Sequence, residues 1–370
     1  MNWKIPLFKT YWDQKDIDAV TRVITRGTSW TNGPEVSEFE SSIARFLGIP
    51  YALAFNSGTS ALHAALCAHH VEGGEVIIPS FTFIATANAV ILAGAKPVFA
   101  DIESDTLALD AQDVEKKITS KTKAIMPIHY GGFPARDSIK LQEIAKKHNI
   151  ALIEDAAESL GSHINGKMVG TFGDTAMFSL CQNKVISTGE GGILVTKSRD
   201  TYEKAKLLRS HGRFEKDEDY FFSIGESSYL QVGFNYRMSS IAAALGVSQL
   251  GKIKHTTDLR RTNAHYLTSK LSHMKLQTPI ELPDHFAVYQ MYSIRLPDKV
   301  ARNALQKHLA QNEIMSKVYF DPIHKKSLYN EDINLTCTQQ MSERVLTIPL
   351  YPTQTREELD LIIKCIGEVC

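Results

Sequence analysis

Three stretches of the chain hold residue types that could do chemistry together. The first, SLCQNKVISTGEGG (Ser179 to Gly192), contains one lysine, Lys184, and no acid until Glu190. An apolar run, Thr175 to Leu180, leads into it. A second, Ile193 to Val195, follows its glycine-rich turn. A lysine at a strand end among apolar neighbours is a candidate for a pKa lowered by desolvation. A neutral amine is a nucleophile and can form a Schiff base with a carbonyl. The position equally suits a surface lysine in a connecting loop.

The second stretch is ALIEDAAESLGS, Ala151 to Ser162, where Asp155 ends a short apolar run. Ligands of open α/β sheets sit at the carboxyl ends of strands, so an acid there can meet one. It can also serve as a helix N-cap. Glu158, three residues on, would then complete a capping box. The third is NSGTSALHAAL, Asn56 to Leu66, which follows a strand-like run and opens a helix. Unpaired N–H groups and the helix dipole make such an end a phosphate seat. Gly58 allows close approach, and Ser57, Thr59 and Ser60 add hydroxyls. The same residues also read as a plain, well-capped helix.

The elements that must position these groups follow from periodicity. Short apolar runs (YALAF, EVIIPS, KPVFA, AIMPI, ALIED, TAMFSL, GGILVT) alternate with segments of helical period. Helices are predicted over 57–71, 82–92, 110–118 and 137–148, with Asp110 and Asp137 as N-caps. This alternation predicts an α/β domain with a mostly parallel central sheet flanked by helices. The pattern changes after about residue 235. Residues 238–271 read as mostly helical, followed by a strand over 288–296, a helix over 298–311, a loop over 321–324 and a helix over 356–370. We therefore expect a large domain over 1–250, with an N-terminal arm over 1–35, and a smaller α+β domain over 251–370.

Composition narrows the function classes. The chain has 370 residues, 43% hydrophobic and 22% charged, with Lys+Arg and Asp+Glu equal at 41 each. That balance argues for neither nucleic acid nor a membrane surface as partner. The five cysteines form no CxxC pair, so neither a disulfide framework nor a zinc module is suggested. A reducing cytoplasm is the expected location. The N-terminus lacks a signal peptide's apolar core, and no apolar run approaches a membrane span. GTFG (170–173) is neither a dinucleotide nor an ATP fingerprint. His69, His70 and His129 lack metal-ligand spacing partners, and no metal is expected. HGRFEKDED (211–219) reads as a solvated loop.

Taken in order, phosphate seat, strand-end aspartate and strand-end lysine resemble the pyridoxal-phosphate enzymes of fold type I. The chain is similar in particular to the DegT-type nucleotide-sugar aminotransferases. The resemblance runs from TSWTNGPEVSEFE through NSGTSALHAAL, IIPSFTFIATANAVILAGAKPVFAD, IEDAAESLGS and FSLCQNKVISTGEGG. It continues through VGFNYRMSSIAAALG to IPLYPTQTREELD, nearly the whole chain.

The resemblance implies that Lys184 carries pyridoxal 5′-phosphate as a Schiff base and moves a proton between cofactor and substrate. Asp155 would bond the pyridine nitrogen, and Glu158 would lie near the 3′-oxygen. Gly58, Thr59 and Ser179 would hold the phosphate. Phe83, in SFTF, would stack on the ring, a position that a core aromatic could also fill. Asn235, in GFNYRM, would reach the phosphate from a neighbouring subunit, which makes the expected unit a homodimer with shared active sites. Trp30, Asn32, Arg237, Tyr319 and His324 are the expected substrate contacts.

The implied reaction passes an amino group from L-glutamate, through pyridoxamine phosphate, to a nucleotide-linked 4-keto-6-deoxy sugar. Its product would serve deoxyamino-sugar biosynthesis for surface glycans. A UDP link and amination at C4 are expected; C3 amination of a 3-keto sugar is the rival. A dehydratase of the same fold would carry a histidine in place of Lys184. A non-enzymatic nucleotide-sugar binder is set against the retained Lys184 and Asp155. In two places the chain departs from the family's pattern. SLCQNK stands where many relatives have an aromatic and a histidine at Leu180 and Cys181, and Arg136 stands where relatives often carry an acid.

Overall fold

The computed structural model describes residues 3–213 and 228–370. Part of the expected solvated loop, residues 214–219, lies outside the described residues. Each of the seven apolar runs forms a strand: β1 (Tyr51–Phe55), β2 (Glu75–Pro79), β3 (Lys96–Ala100), β4 (Thr122–Ile125), β5 (Ala151–Asp155), β6 (Thr175–Ser179) and β7 (Gly192–Thr196). They make one sheet in the order β1-β7-β6-β5-β4-β2-β3. The β2–β3, β2–β4, β4–β5 and β5–β6 pairs are parallel, while β7 runs antiparallel to both its neighbours. The carboxyl ends of β1, β2, β5 and β6 therefore meet the start of β7 at one edge.

Side chains alternate across the sheet because successive residues of a strand face opposite ways. Leu53, Phe55, Ile153, Met177 and Leu194 pack with helices α3 (Gly58–Ala68) and α4 (Ile84–Leu92). Ala54, Ala176, Phe178, Ile193 and Val195 pack on the other face with helix α2 (Pro34–Leu47). Helices α5 (Ala111–Lys117) and α6 (Ser138–His148) cover Ile77, Ile125 and Leu152. Both faces are thus buried, as near-continuous apolar strands require.

The remaining chain folds around these layers. Helix α7 (Arg199–Arg209) packs beside α3, while helix α1 (Gln14–Arg26) packs on α8 (Ser240–Leu250), and Lys252 Nζ ties that join to Asp13 and Asp16 at 2.8 and 2.6 Å. The stretch expected to be mostly helical over 238–271 is two helices, because the chain turns at Gly251 and Lys252 before α9 (Ile253–Leu271). Strands over Tyr292–Arg295 and Val345–Ile348 pair antiparallel, and helices over Lys299–Gln311 and Arg356–Gly367 pack with them and with α9. No described helix is long and apolar enough to cross a membrane.

Two helix starts differ from expectation. Asp110 caps α5 by accepting from Gln112 N at 2.8 Å. Asp137 precedes α6 but gives it no side-chain cap. Its carboxylate accepts instead from Ala111 N, 3.1 Å away at the start of α5. A carboxylate binds whichever unpaired N–H the fold presents, and here that is a neighbouring helix's. Helix α4 starts at Ile84 rather than Thr82, because Phe83 is extended (φ −69°, ψ 142°).

Candidate active site

The shared edge is built first from backbone. Ser57 is extended (φ −158°), and its Oγ accepts from Ser60 N at 3.1 Å. Ser60 Oγ in turn donates to Asn56 Oδ1 at 2.8 Å. Helix bonding begins with Ala61 N to Ser57 O at 3.2 Å, so the N–H groups of Gly58 and Thr59 lie ahead of it. An anion there meets those N–H groups and the helix dipole.

Two glycines let this turn sit against the sheet. A Cβ on Gly58 would lie 3.1 Å from both Met177 Sδ and Ser179 Cβ. The helix start and Ser179 are therefore in contact. Gly192, which opens β7, was not singled out from sequence. A Cβ there would collide with the Ser57 carbonyl oxygen and lie 2.7 Å from Gly58 N. Gly192→Ala should destabilise the protein by about 1–3 kcal/mol through overpacking. It should also weaken cofactor binding, because the strain falls on the phosphate turn. Urea denaturation and equilibrium dialysis with the cofactor check both effects. Wild-type values in both would show that the turn yields freely.

The side chains come from three other segments. Asp155, at the end of β5, is 3% exposed. Its Oδ2 accepts from Thr86 Oγ1 at 2.8 Å and its Oδ1 from Ala157 N at 3.2 Å. Burial pushes its carboxyl above the usual range, and Thr86, Ala157 and Lys184 offset this only in part. Glu158 does not form the capping box: no helix follows Asp155. Its Oε2 accepts from Gly131 N at 2.7 Å, in a turn where Gly131 has φ +66°. Its Oε1 lies 3.7 Å from Lys184 Nζ. Burial raises the Glu158 carboxyl too, with Lys184 opposing. Lys184 is held by its own turn, where Lys184 N donates to Cys181 O at 2.9 Å. Its side chain is only 13% exposed, so it is not a surface loop lysine.

Phe83 precedes α4 and is 59% exposed. It is not a core aromatic; its ring is largely exposed, with that of Phe320 6.4 Å away. Tyr319 reaches the same region. Burial raises its hydroxyl pKa, and the charges of Glu158 and Cys181 add to that. Ser179 Oγ accepts from Cys181 N at 3.4 Å. The expected group of Gly58, Ser179, Asp155, Glu158, Lys184 and Tyr319 thus comes from three separate parts of the chain.

The remaining expected contacts have the following partners within the chain. Trp30 Nε1 donates to Val23 O at 3.1 Å, and its carbonyl accepts from Ser240 N. Asn32 lines a recess beside β1 with Glu40, Tyr51 and Arg209. Arg237 pairs with Phe55 across a β-bridge, and its Nη1 donates to Ser210 Oγ at 3.2 Å. His324 is fully buried, with Nδ1 2.7 Å from Ser80 Oγ. Asn235 has an exposed side chain, and its carbonyl accepts from Asn56 Nδ2 at 3.3 Å.

His129 is a strut. Ala135 N donates to its Nδ1 at 3.0 Å, so its Nε2 carries the proton and donates to Glu154 at 3.0 Å. Burial alone would raise the Glu154 carboxyl, but His129 and the Gly170 and Gly173 N–H groups hold it below the usual range. Among the described residues, one group has metal-ligand geometry that the sequence did not flag. The ligand atoms of His308, Cys365 and Glu368 lie within 4.8 Å of one another, with His308 already bonded to Glu368 at 2.9 Å.

The edge offers an anion seat, a largely exposed aromatic ring, a buried carboxylate lacking a full counter-charge and one lysine. That donor set fits a phosphorylated pyridine aldehyde, the cofactor expected from the sequence.

Comparison with known proteins gives the same answer. The model of the DegT/DnrJ/EryC1/StrS aminotransferase family matches residues 11–367. The chain is 34% identical over 368 residues to GDP-perosamine synthase of Vibrio cholerae, covering 98% of each chain. It is 28% identical to Helicobacter pylori PseC, an aminotransferase involved in pseudoaminic acid biosynthesis, with TM-score 0.91 over 99% of this chain and 98% of that one. Spr1654 of Streptococcus pneumoniae, solved in its PMP form, has TM-score 0.91 at 26% identity, over 99% and 97% of the chains, and its PLP form is equally similar in fold. The expected UDP link finds no support in the Vibrio cholerae relative, which is named for a GDP-sugar.

Proposed function

The chain belongs to the DegT/DnrJ/EryC1/StrS aminotransferase family, and on that premise we propose that it passes an amino group from L-glutamate to C4 of a GDP-linked 4-keto-6-deoxy sugar. It is a pyridoxal-phosphate-dependent sugar aminotransferase. The GDP link is carried over from the similarity to GDP-perosamine synthase, and the C4 position is the one expected from the sequence. This reading replaces the UDP link.

When bound, the cofactor supplies an electron sink for charge developing on the substrate carbon. The protein's residues do the rest. Gly58, Thr59 and Ser179 seat the phosphate. Phe83 would pack against the ring, and Asp155 would pair with the ring nitrogen. Lys184 takes and returns the proton at the substrate carbon. Glu158, 3.7 Å from the lysine amine, keeps a second acid group at hand to accept or orient a hydrogen bond. The observation that carries the reading is the lysine itself, at the position where a dehydratase would place a histidine.

The test is amination of a panel of GDP-, UDP- and dTDP-linked 4-keto-6-deoxy sugars with L-glutamate. Product mass reports gain of nitrogen, and NMR reports the ring carbon. Conversion of the GDP substrate at C4, at least about tenfold faster than the others, is expected. A UDP product, C3 amination or loss of water without nitrogen would sink the proposal.

A homodimer with shared sites is part of the same reading, supported by the exposed side chain of Asn235 beside Asn56. Chains carrying Lys184→Ala and chains carrying Asn235→Ala should each be impaired, yet recover activity when refolded together. Each mixed dimer then holds one site with both residues. Activity no higher than the average of the two variants would place Asn235 in its own subunit's site. All five cysteines are free, which supports a cytoplasmic setting. The division into units over 1–250 and 251–370 also belongs to the proposal. It is supported by the core that α9, the two late strands and the C-terminal helix share, which Ile5 and Phe133 of the first unit join.

A further inference from the structure

Asp155 has one partner that the sequence did not suggest. Thr86 lies 69 residues away on α4, and its hydroxyl is 2.8 Å from Asp155 Oδ2. Thr82 Oγ1 lies 2.9 Å from Thr86 Oγ1, and both threonines are buried. We infer that Thr86, backed by Thr82, is a positioning residue that keeps Asp155 ionised and aimed for the cofactor's ring nitrogen.

The direction of the chain of bonds is set by chemistry. An ionised carboxylate only accepts, so Thr86 gives its one hydrogen to Asp155. Thr86 then accepts from Thr82, which must donate. Successive donors polarise one another toward the carboxylate. A buried carboxylate is costly unless such donors hold it. Among the described residues, the only other hydrogen-bond donor to it is Ala157 N, at the longer distance of 3.2 Å.

The plainer role for a helical threonine is to hand its hydrogen back to a carbonyl three or four residues earlier. Thr25, Thr256 and Thr262 do that. Thr86 instead sends its hydrogen across to the end of β5. The same turn carries Phe83, whose carbonyl accepts from Thr86 N at 3.1 Å. One turn of backbone therefore sets both Phe83 and the donor to Asp155.

This inference rests on the assignment of Asp155 proposed above, and the experiment separates the two. Cofactor dissociation constants are measured by equilibrium dialysis with pyridoxal phosphate for wild type, Thr86→Val, Thr86→Ser and Asp155→Ala. Loss of a hydrogen bond to a charged group predicts binding about tenfold weaker for Thr86→Val. Its kcat should fall while KM for the sugar stays within about threefold of wild type. Thr86→Ser, which keeps the hydroxyl, should restore both. Should Thr86→Val fail to fold, Thr82→Val removes the outer donor alone and should weaken binding by a smaller factor. Wild-type binding in the Val variant, or equal weakening by Val and Ser, overturns the role of Thr86 if Asp155→Ala is impaired. Wild-type binding by Asp155→Ala overturns both assignments. With Thr82→Val as the surviving variant, unchanged binding overturns the inference.

Discussion

Lys184→Ala is expected to abolish turnover while leaving the fold intact. Its amine lies 3.7 Å from Glu158 and is mostly shielded from solvent, and no other lysine among the described residues makes an ion pair with Glu158 or Asp155. Loss of proton transfer by itself costs on the order of 10²–10⁴ in rate. Loss of covalent attachment adds to that. Borohydride reduction and mass spectrometry of the loaded wild type should mark the peptide carrying Lys184 and no other. The variant should still bind the cofactor through Gly58, Thr59, Ser179 and Asp155, but unlabelled. Labelling at another lysine, or near wild-type turnover, would remove Lys184 from its role.

Asp155→Asn should lower kcat by about 10²–10³, as expected when one member of a buried charge pair is removed. An amide cannot keep the ring nitrogen protonated. The same variant carries a second, opposite signature in the cofactor-free protein. Burial raises the Asp155 carboxyl pKa in the folded chain. The folded state then holds the proton more tightly than the unfolded chain, whose value is about 3.9. Stability from this group is present below that value and is lost as pH rises through the raised folded value. Cofactor-free wild type should therefore lose stability relative to Asp155→Asn as pH rises from about 4 toward 7. Urea denaturation at a series of pH values measures the difference. A stability difference that does not vary with pH would show that Asp155 is not strained by burial.

Both predictions concern a trade between stability and function. Asp155 and Glu158 are each pushed toward the neutral form by burial, with Lys184 the cation that opposes this in both. A cofactor carrying a ring cation supplies the missing charge. The site costs stability when empty and regains it when loaded.

The sequence by itself determined the strands, the order of phosphate seat, aspartate and lysine, and the family. Those features are local: apolar alternation sets a strand, and a serine before GTSAL sets a helix start. It also supplied Asp110 as a cap, because that cap closes within two residues. Only the tertiary structure decided where side chains without a local partner went. Asp137 turned to a neighbouring helix, Glu158 took the Gly131 N–H rather than a capping box, and His324 was buried against Ser80. Thr86 found Asp155 and Gly192 found Ser57 across the sheet. A hydroxyl or a missing Cβ carries no periodicity, so its role appears only when distant strands end at one edge. SLCQNK shows both sides. Its lysine was legible from the apolar runs on either flank, whereas Glu158, its partner at 3.7 Å, was brought there by the fold.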